Sequence, residues 1–147
     1  MADIKVITSK DVESKPLPCS TGDAGWMKRL VYPPNAEPAR VHMEISKVLP
    51  GHSPHRWHTH TTDKGEGYQI IYPEGFEEIY FILKGTGIVQ GKTGDGKIKE
   101  EKVEAGDAVF FPSNVPEHQL LNNGPENMSI VHCGGPLHKV LYTDKGA

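Results

Sequence analysis

The sequence predicts an all-β single domain, a barrel or sandwich of short strands, and three observations carry that prediction. Sixteen glycines and twelve prolines are spread along the chain rather than clustered, so turns recur too often for long helices. One run, Arg40 to Val48, alternates apolar and polar residues with a period of two, the pattern of a strand with two unlike faces, and further short strand-like runs recur at close spacing. At 147 residues the chain is one domain's worth, enough to bury a core without disulfides.

Taken in order, Ile4 to Ile7 reads as a short opening strand. A connector containing Pro and Gly follows through Gly25. Such a strand is suited to pairing with a neighbouring subunit's sheet edge, which would cover that edge. Trp26 to Tyr32 is apolar enough for a second strand, ended by Pro33-Pro34. Arg40 to Val48 alternates clearly. Val41, Met43 and Ile45 share one face, assigned to the core; Arg40, His42, Glu44 and Ser46 share the other, toward solvent or a polar cavity. Leu49-Pro50-Gly51 turns the chain into a run that leads to His58 and His60. Between Thr61 and Gly75 lies a segment rich in Gly, Thr and charge with a strand-like island at Tyr68 to Tyr72.

Glu78 to Leu83 is the most strongly β-patterned run. Gly85-Thr86-Gly87 turns into Ile88 to Gln90, and Thr93 to Gly96 forms a hairpin tip whose Asp-Gly suits a positive φ. Lys97 to Val103 returns. Ala108 to Phe111 is stopped by Pro112, His118 to Leu121 follows a tight loop, and Met128 to Cys133 closes the series after the turn at Asn122 to Pro125. Nine to eleven closely spaced strands fit a jelly-roll sandwich or barrel.

Composition narrows the function classes. Charged residues make up 24% and the net charge is −3, so no strong field invites nucleic acid or an acidic membrane. The first 25 residues lack a basic stretch followed by an apolar run, and no run of eighteen apolar residues occurs, so neither export nor membrane spanning is signalled. Cys19 and Cys133 are far apart without a CxxC partner, which favours two reduced thiols in a cytoplasmic protein. A soluble protein facing a small-molecule substrate is the expectation.

The chemistry concentrates between Gly51 and Gly85. In an extended chain the side chains at i and i+2 share a face, so His58 and His60 can present two imidazoles to one point. A carboxylate from a neighbouring strand, Glu77 or Glu78, would complete a two-histidine, one-acid arrangement suited to a redox-capable divalent metal with open positions.

These residues resemble two motifs of the cupin superfamily, in the family's order. The first is a Gly, a His-x-His, a Glu, and a Gly seven residues after that Glu; Gly51, His58, His60, Glu78 and Gly85 fill those places. In the second, Gly106, Pro112, Asn114 in place of Gly, His118 and Asn122 take the family's positions. The resemblance covers about residues 38 to 133. Three departures stand out. Seventeen residues separate His60 from Glu78, where the family has only a few, so a loop is inserted. One extra residue lies between Gly51 and His58, and Glu117 moves His118 one place further from Pro112. Since a one-residue shift within a strand reverses the face a side chain uses, the loop from Ser113 to Glu117 must absorb it.

The resemblance implies a double-stranded β-helix, or jelly-roll barrel, over residues 38–147, with an inserted loop at 61–76. Residues 1–37 would supply strands and a connector packing on the barrel or on a partner subunit. It implies one divalent transition metal inside, held by His58, His60, Glu78 and His118. Three imidazoles and a carboxylate suit Fe, Mn, Ni, Co or Zn without choosing among them. The seven-residue offset to Gly85 and the alternation with Tyr80 and Ile82 select Glu78 over Glu77. Tyr80 and Glu77 are candidate acids or bases. His42, His132, Arg40 and Tyr72 are candidate substrate contacts, Arg40 through a bidentate fork to a carboxylate.

The expected activity is metal-dependent Lewis-acid chemistry of isomerase, lyase or decarboxylase type on a small oxygenated metabolite, a carboxylate, sugar or keto/enol compound. An Fe(II)-type dioxygenase and a non-catalytic metabolite-binding or sensing protein are the alternatives, because one fold hosts all three. A homodimer is expected. The insertion is read either as a lid over the metal or as a hairpin packing on a partner.

Overall fold

The computed structural model describes residues 3–17, 23–32, 36, 40–60, 63–65, 68–70 and 74–136. Among these it is almost entirely β. A single 3-10 turn at Ser9–Asp11 precedes eleven strands: β1 (Lys15–Pro16), β2 (Gly25–Val31), β3 (His42–Val48), β4 (Asp63–Gly65), β5 (Tyr68–Ile70), β6 (Glu77–Lys84), β7 (Thr86–Lys92), β8 (Ile98–Glu104), β9 (Ala108–Phe111), β10 (His118–Leu121) and β11 (Met128–Gly135). They form a six-stranded sheet in the order β1-β2-β3-β11-β6-β9, a three-stranded sheet β10-β7-β8, and a two-stranded hairpin β4-β5. All pairings are antiparallel. This is the expected jelly roll, and the insertion between His60 and Glu78 carries the small hairpin.

The interior of the large sheet is graded along its strands. Cross-strand register sets Val48 beside Met128, then Ser46 beside Ile130 and Ile82, then Glu44 beside His132 and Tyr80, and finally His42 beside Gly134 and Glu78. One end is therefore an apolar core, in which Val48, Ile82, Met128 and Ile130 are fully buried with Leu120 and Met27. At the other end the same inward face is polar, with His42, Glu44, Glu78 and His132 all buried. Burying ionisable groups is unfavourable unless they are paired. That end is therefore the part of the molecule whose cost calls for a function. Gly85 sits at φ +90° after β6, and a Cβ there would meet the Asn127 carbonyl at 2.9 Å, so the turn from β6 to β7 requires glycine.

Two expectations are corrected. On β3 the inward residues are His42, Glu44, Ser46 and Val48, while Val41, Met43 and Ile45 point outward. Alternation distinguishes two faces but does not say which is inside, and here the polar face lines the barrel. The outer face of the large sheet is apolar instead: Val41, Ile79, Phe81, Leu83 and Phe110 are each exposed, Phe110 to 57%. The opening strand over Ile4 to Ile7 does not form. Ile4 and Val6 are 97% and 87% exposed and pair with no strand among the described residues, so no ladder offsets the ordering of that segment. Lys28 Nζ donates to the Ser9 carbonyl at 2.8 Å, which ties the start of the chain to β2.

Candidate metal centre

His58 and His118 are brought together by the backbone. The His58 N–H donates to the His118 carbonyl at 3.1 Å and the His118 N–H to the His58 carbonyl at 2.9 Å, an isolated antiparallel bridge. Directly opposed residues in such a bridge project to the same side. The His-x-His run is thus not a regular strand, but the bridge gives His58 the same orientation a ladder would. The loop before β10 absorbs the extra residue. Asn114 takes a left-handed φ of 62°, a conformation Asn tolerates better than most side chains. The Glu117 carbonyl then accepts from Lys92 N at 2.8 Å, and the β10–β7 ladder starts with His118 opposite Gly91.

Both imidazoles are held in one tautomer. His58 Nδ1 lies 2.8 Å from the Arg56 carbonyl and His118 Nδ1 lies 2.8 Å from the Pro116 carbonyl. A carbonyl can only accept, so Nδ1 carries the proton in each ring and the Nε2 lone pair is left for a ligand. His118 Nε2 is buried with no hydrogen-bond partner among the described residues. Burial pushes His118 down to about 4, with the neighbouring His58 adding to the effect, so the ring is neutral at pH 7. Ligand atoms of His58, His60 and His118 all lie within 4.8 Å of one another. Buried nitrogen lone pairs converging on one point fit a divalent transition metal in number and in chemistry.

Glu78 adjoins this triad. Its Oε1 is 3.3 Å from His60 Nε2, and its Oε2 is 3.2 Å from His42 Nε2. Burial alone would raise the Glu78 carboxyl, but the adjoining His42 and His60 imidazoles outweigh it and hold it well below the usual carboxylate range. The charge chain continues inward. His42 Nδ1 is 3.8 Å from Glu44 Oε1, which is 3.4 Å from Arg29 Nε. Burial opposes a charge on His42, but Glu78 and Glu44 reverse that and raise it; burial likewise raises Glu44 against His42 and Arg29.

The other expected site residues fall into three groups. His132 and Tyr80 lie one layer deeper, both buried, with ring centroids 4.3 Å apart and His132 Nε2 2.7 Å from Ser46 Oγ. Arg40 and Glu77 are exposed and border, with His42, Val41, Phe110 and Pro136, an outer groove of about 640 Å³. Glu77 thus faces away from the histidines, on the opposite side of β6 from Glu78. Tyr72 lies outside the described residues.

Two neighbours of the triad went unread in the sequence. The Phe76 ring stacks on His42 at 5.7 Å and meets His60 edge-on at 5.1 Å. The His55 ring lies 4.6 Å from that of His58, and burial lowers its pKa well below the ordinary histidine value. Phe76 carries no local signal, whereas His55 stands in the sequence between His52 and the His58, His60 pair, a concentration of histidines that could have pointed to it. A cavity of about 410 Å³ between β8 and β9 reaches His118 past Val89, Val103, Val109, Phe111 and Val115.

Comparison with known proteins agrees with this architecture. Residues 64–134 match the model of the cupin domain. No curated protein matches the chain in sequence. Similar solved structures include a predicted oxalate decarboxylase from Thermotoga maritima, 23% identical over 90% of this chain and 100% of that one, with a TM-score of 0.61. KdgF from Halomonas sp. is 12% identical over 93% and 97% of the two chains, with a TM-score of 0.63. The polyketide cyclase RemF from Streptomyces resistomycificus is 15% identical over 98% and 89%, with a TM-score of 0.60. At these identities the likeness is one of fold. No helix among the described residues is long and apolar enough to cross a membrane.

Proposed function

We propose that this chain, whose residues 64–134 match the cupin domain, is a metal-dependent enzyme whose His58, His60, Glu78 and His118 hold one divalent transition metal. The observation that carries the proposal is the convergence of three buried imidazoles within 4.8 Å, two of them fixed by backbone carbonyls with Nε2 left for a ligand. A metal held there supplies a Lewis acid that stabilises negative charge developing on a substrate oxygen.

The chain's own residues make small oxygenated metabolites the fitting substrate class. Four protein ligands leave positions open on a metal of six-fold preference, so a carboxylate, sugar or keto/enol compound can bind through two oxygens. The cavity between β8 and β9 reaches His118 and gives such a substrate a path to the site, whereas Arg40 borders the outer groove on the other face of the sheet. Tyr80 and His132 line the interior behind the ligands, which makes Tyr80 the candidate acid or base. Isomerase, lyase or decarboxylase chemistry follows from that combination. The protomer fits a homodimer, because its large sheet leaves Ile79, Phe81, Leu83 and Phe110 exposed on one face. Cys133 is a free thiol, in keeping with a reducing, cytoplasmic setting.

The test is metal content and uptake. Protein stripped with chelator should bind one equivalent of Mn(II), Fe(II), Co(II), Ni(II) or Zn(II), and His118→Ala should weaken that by more than the roughly 10–100-fold that loss of an outer partner costs. Protein that takes up none of them overturns the proposal. With a panel of keto acids and sugars, oxygen-independent turnover supports the Lewis-acid reading. Oxygen consumption would instead mark a dioxygenase, and binding without turnover a sensing protein.

A further inference from the structure

We propose that His42 is a positioning residue for the metal centre: it reaches across the side-chain gap at Gly134 and pins Oε2 of Glu78, so that the carboxylate offers only Oε1 to the histidine cluster. The inference rests on the metal reading above and adds how that site is kept in shape.

The geometry is set by register. Gly134 on β11 pairs with His42 on one side and with Glu78 on the other, so β3 and β6 are separated by a full strand. Neighbouring strands lie about 4.8 Å apart, which puts the backbones of His42 and Glu78 roughly 10 Å from each other. Any side chain at position 134 would fill the space between them. A Cβ there would come within 2.6 Å of His42 Nε2 and 2.8 Å of the Glu77 carbonyl. Glycine leaves that space to His42, whose Nε2 reaches Glu78 Oε2 at 3.2 Å.

The rest of the imidazole is fixed as well. Phe76 stacks on its face at 5.7 Å, and Glu44, itself beside Arg29, lies 3.8 Å from Nδ1. The Arg29, Glu44, His42 and Glu78 side chains alternate in sign across the sheet, and no member is 12% or more exposed. An outer partner of this kind fixes the orientation of a ligand and its loss typically costs 10–100-fold in metal affinity. His42 acts through Glu78 and is no ligand itself: its Nε2 meets Oε2, and it stands outside the cluster that His58, His60 and His118 form.

The experiment compares wild type with His42→Phe, His42→Gln and Gly134→Ala in chelator-stripped protein. The readouts are Mn(II) affinity and the visible spectrum of the Co(II) form. His42→Phe keeps the volume and the Phe76 contact but donates no hydrogen bond. It should weaken Mn(II) binding about 10–100-fold and shift the Co(II) bands. Gln retains a donor and should recover most of both. Gly134→Ala leaves every ligand and partner in the sequence, but its Cβ would crowd the Glu77 carbonyl and Phe76 Cζ as well as His42 Nε2, so it should weaken Mn(II) binding at least as much as His42→Phe and serves if that variant does not fold. Wild-type affinity and spectrum in the His42→Phe or Gly134→Ala variant would overturn the inference alone, as would a Gln variant as impaired as Phe. Wild-type protein that binds neither ion would overturn the metal reading and this inference with it.

Discussion

Acid should destabilise the metal-free protein through His132, and the amount follows from its surroundings. The ring is 1% exposed, edge-on to Tyr80, with Nε2 2.7 Å from Ser46 Oγ. Burial pushes it down to about 4 despite the opposing charge of Glu78. In the unfolded chain the same group titrates near 6.5, so between those values the unfolded state binds more protons. Stability is then complete above pH 6.5 and is lost as pH falls toward 4. The gap corresponds to about 3 kcal/mol in full, and about 2 kcal/mol of it is reached at pH 5. His118 has the same sign, being likewise pushed down to about 4, so wild type alone does not isolate His132. The assay is therefore urea unfolding of wild type and His132→Gln at pH 7.5 and pH 5.0 with chelator present. Gln keeps a partner for Ser46 and has no charge to acquire. The stability difference between the two proteins should move by about 2 kcal/mol in favour of the variant on going to pH 5. A difference unchanged to within about 0.5 kcal/mol would refute the reasoning, because a buried histidine forced to charge must show this linkage.

Asn122 is fully buried and its side chain donates to the Val48 and Glu126 carbonyls at 2.9 and 2.8 Å and accepts from Gly124 N at 3.1 Å. Asn122→Ala should cost about 3 kcal/mol. That would appear as a Tm about 10 °C lower by calorimetry, and a fall under 2 °C would count against those three bonds. Asn114→Gly should leave stability nearly unchanged, whereas Asn114→Val should cost about 1–2 kcal/mol in chemical denaturation, since a β-branched side chain is strained at φ 62°. If the protein forms the proposed homodimer through this face, wild type should be dimeric in light scattering and Phe81→Lys with Leu83→Lys monomeric; a monomeric wild type would overturn the dimer, and a variant that stays dimeric would move the interface elsewhere on the surface. Ile82 is fully buried, and Ile82→Ala should destabilise by about 2–5 kcal/mol in urea.

Strand periodicity, turn residues and the spacing of Gly51, His58, Glu78, Gly85, Gly106 and His118 were legible in the sequence because each is a local property. Period-two alternation marks β3 and sets Glu78 with Tyr80 and Ile82 on β6, and paired motifs point to the histidines and the carboxylate. What tertiary structure alone decided was everything that depends on a partner distant in the chain. Alternation states that β3 has two unlike faces, but only packing against the second sheet put His42, Glu44 and Ser46 inside and Val41, Met43 and Ile45 outside. The loop from Ser113 to Glu117 had to absorb one residue, and only the bridge between His58 and His118 shows that it does. Phe76 and the reach of His42 to Glu78 have no local pattern at all. They exist because register sets Gly134 between two strands that never pair with each other, and a glycine's missing side chain is read only from what crosses the space it leaves.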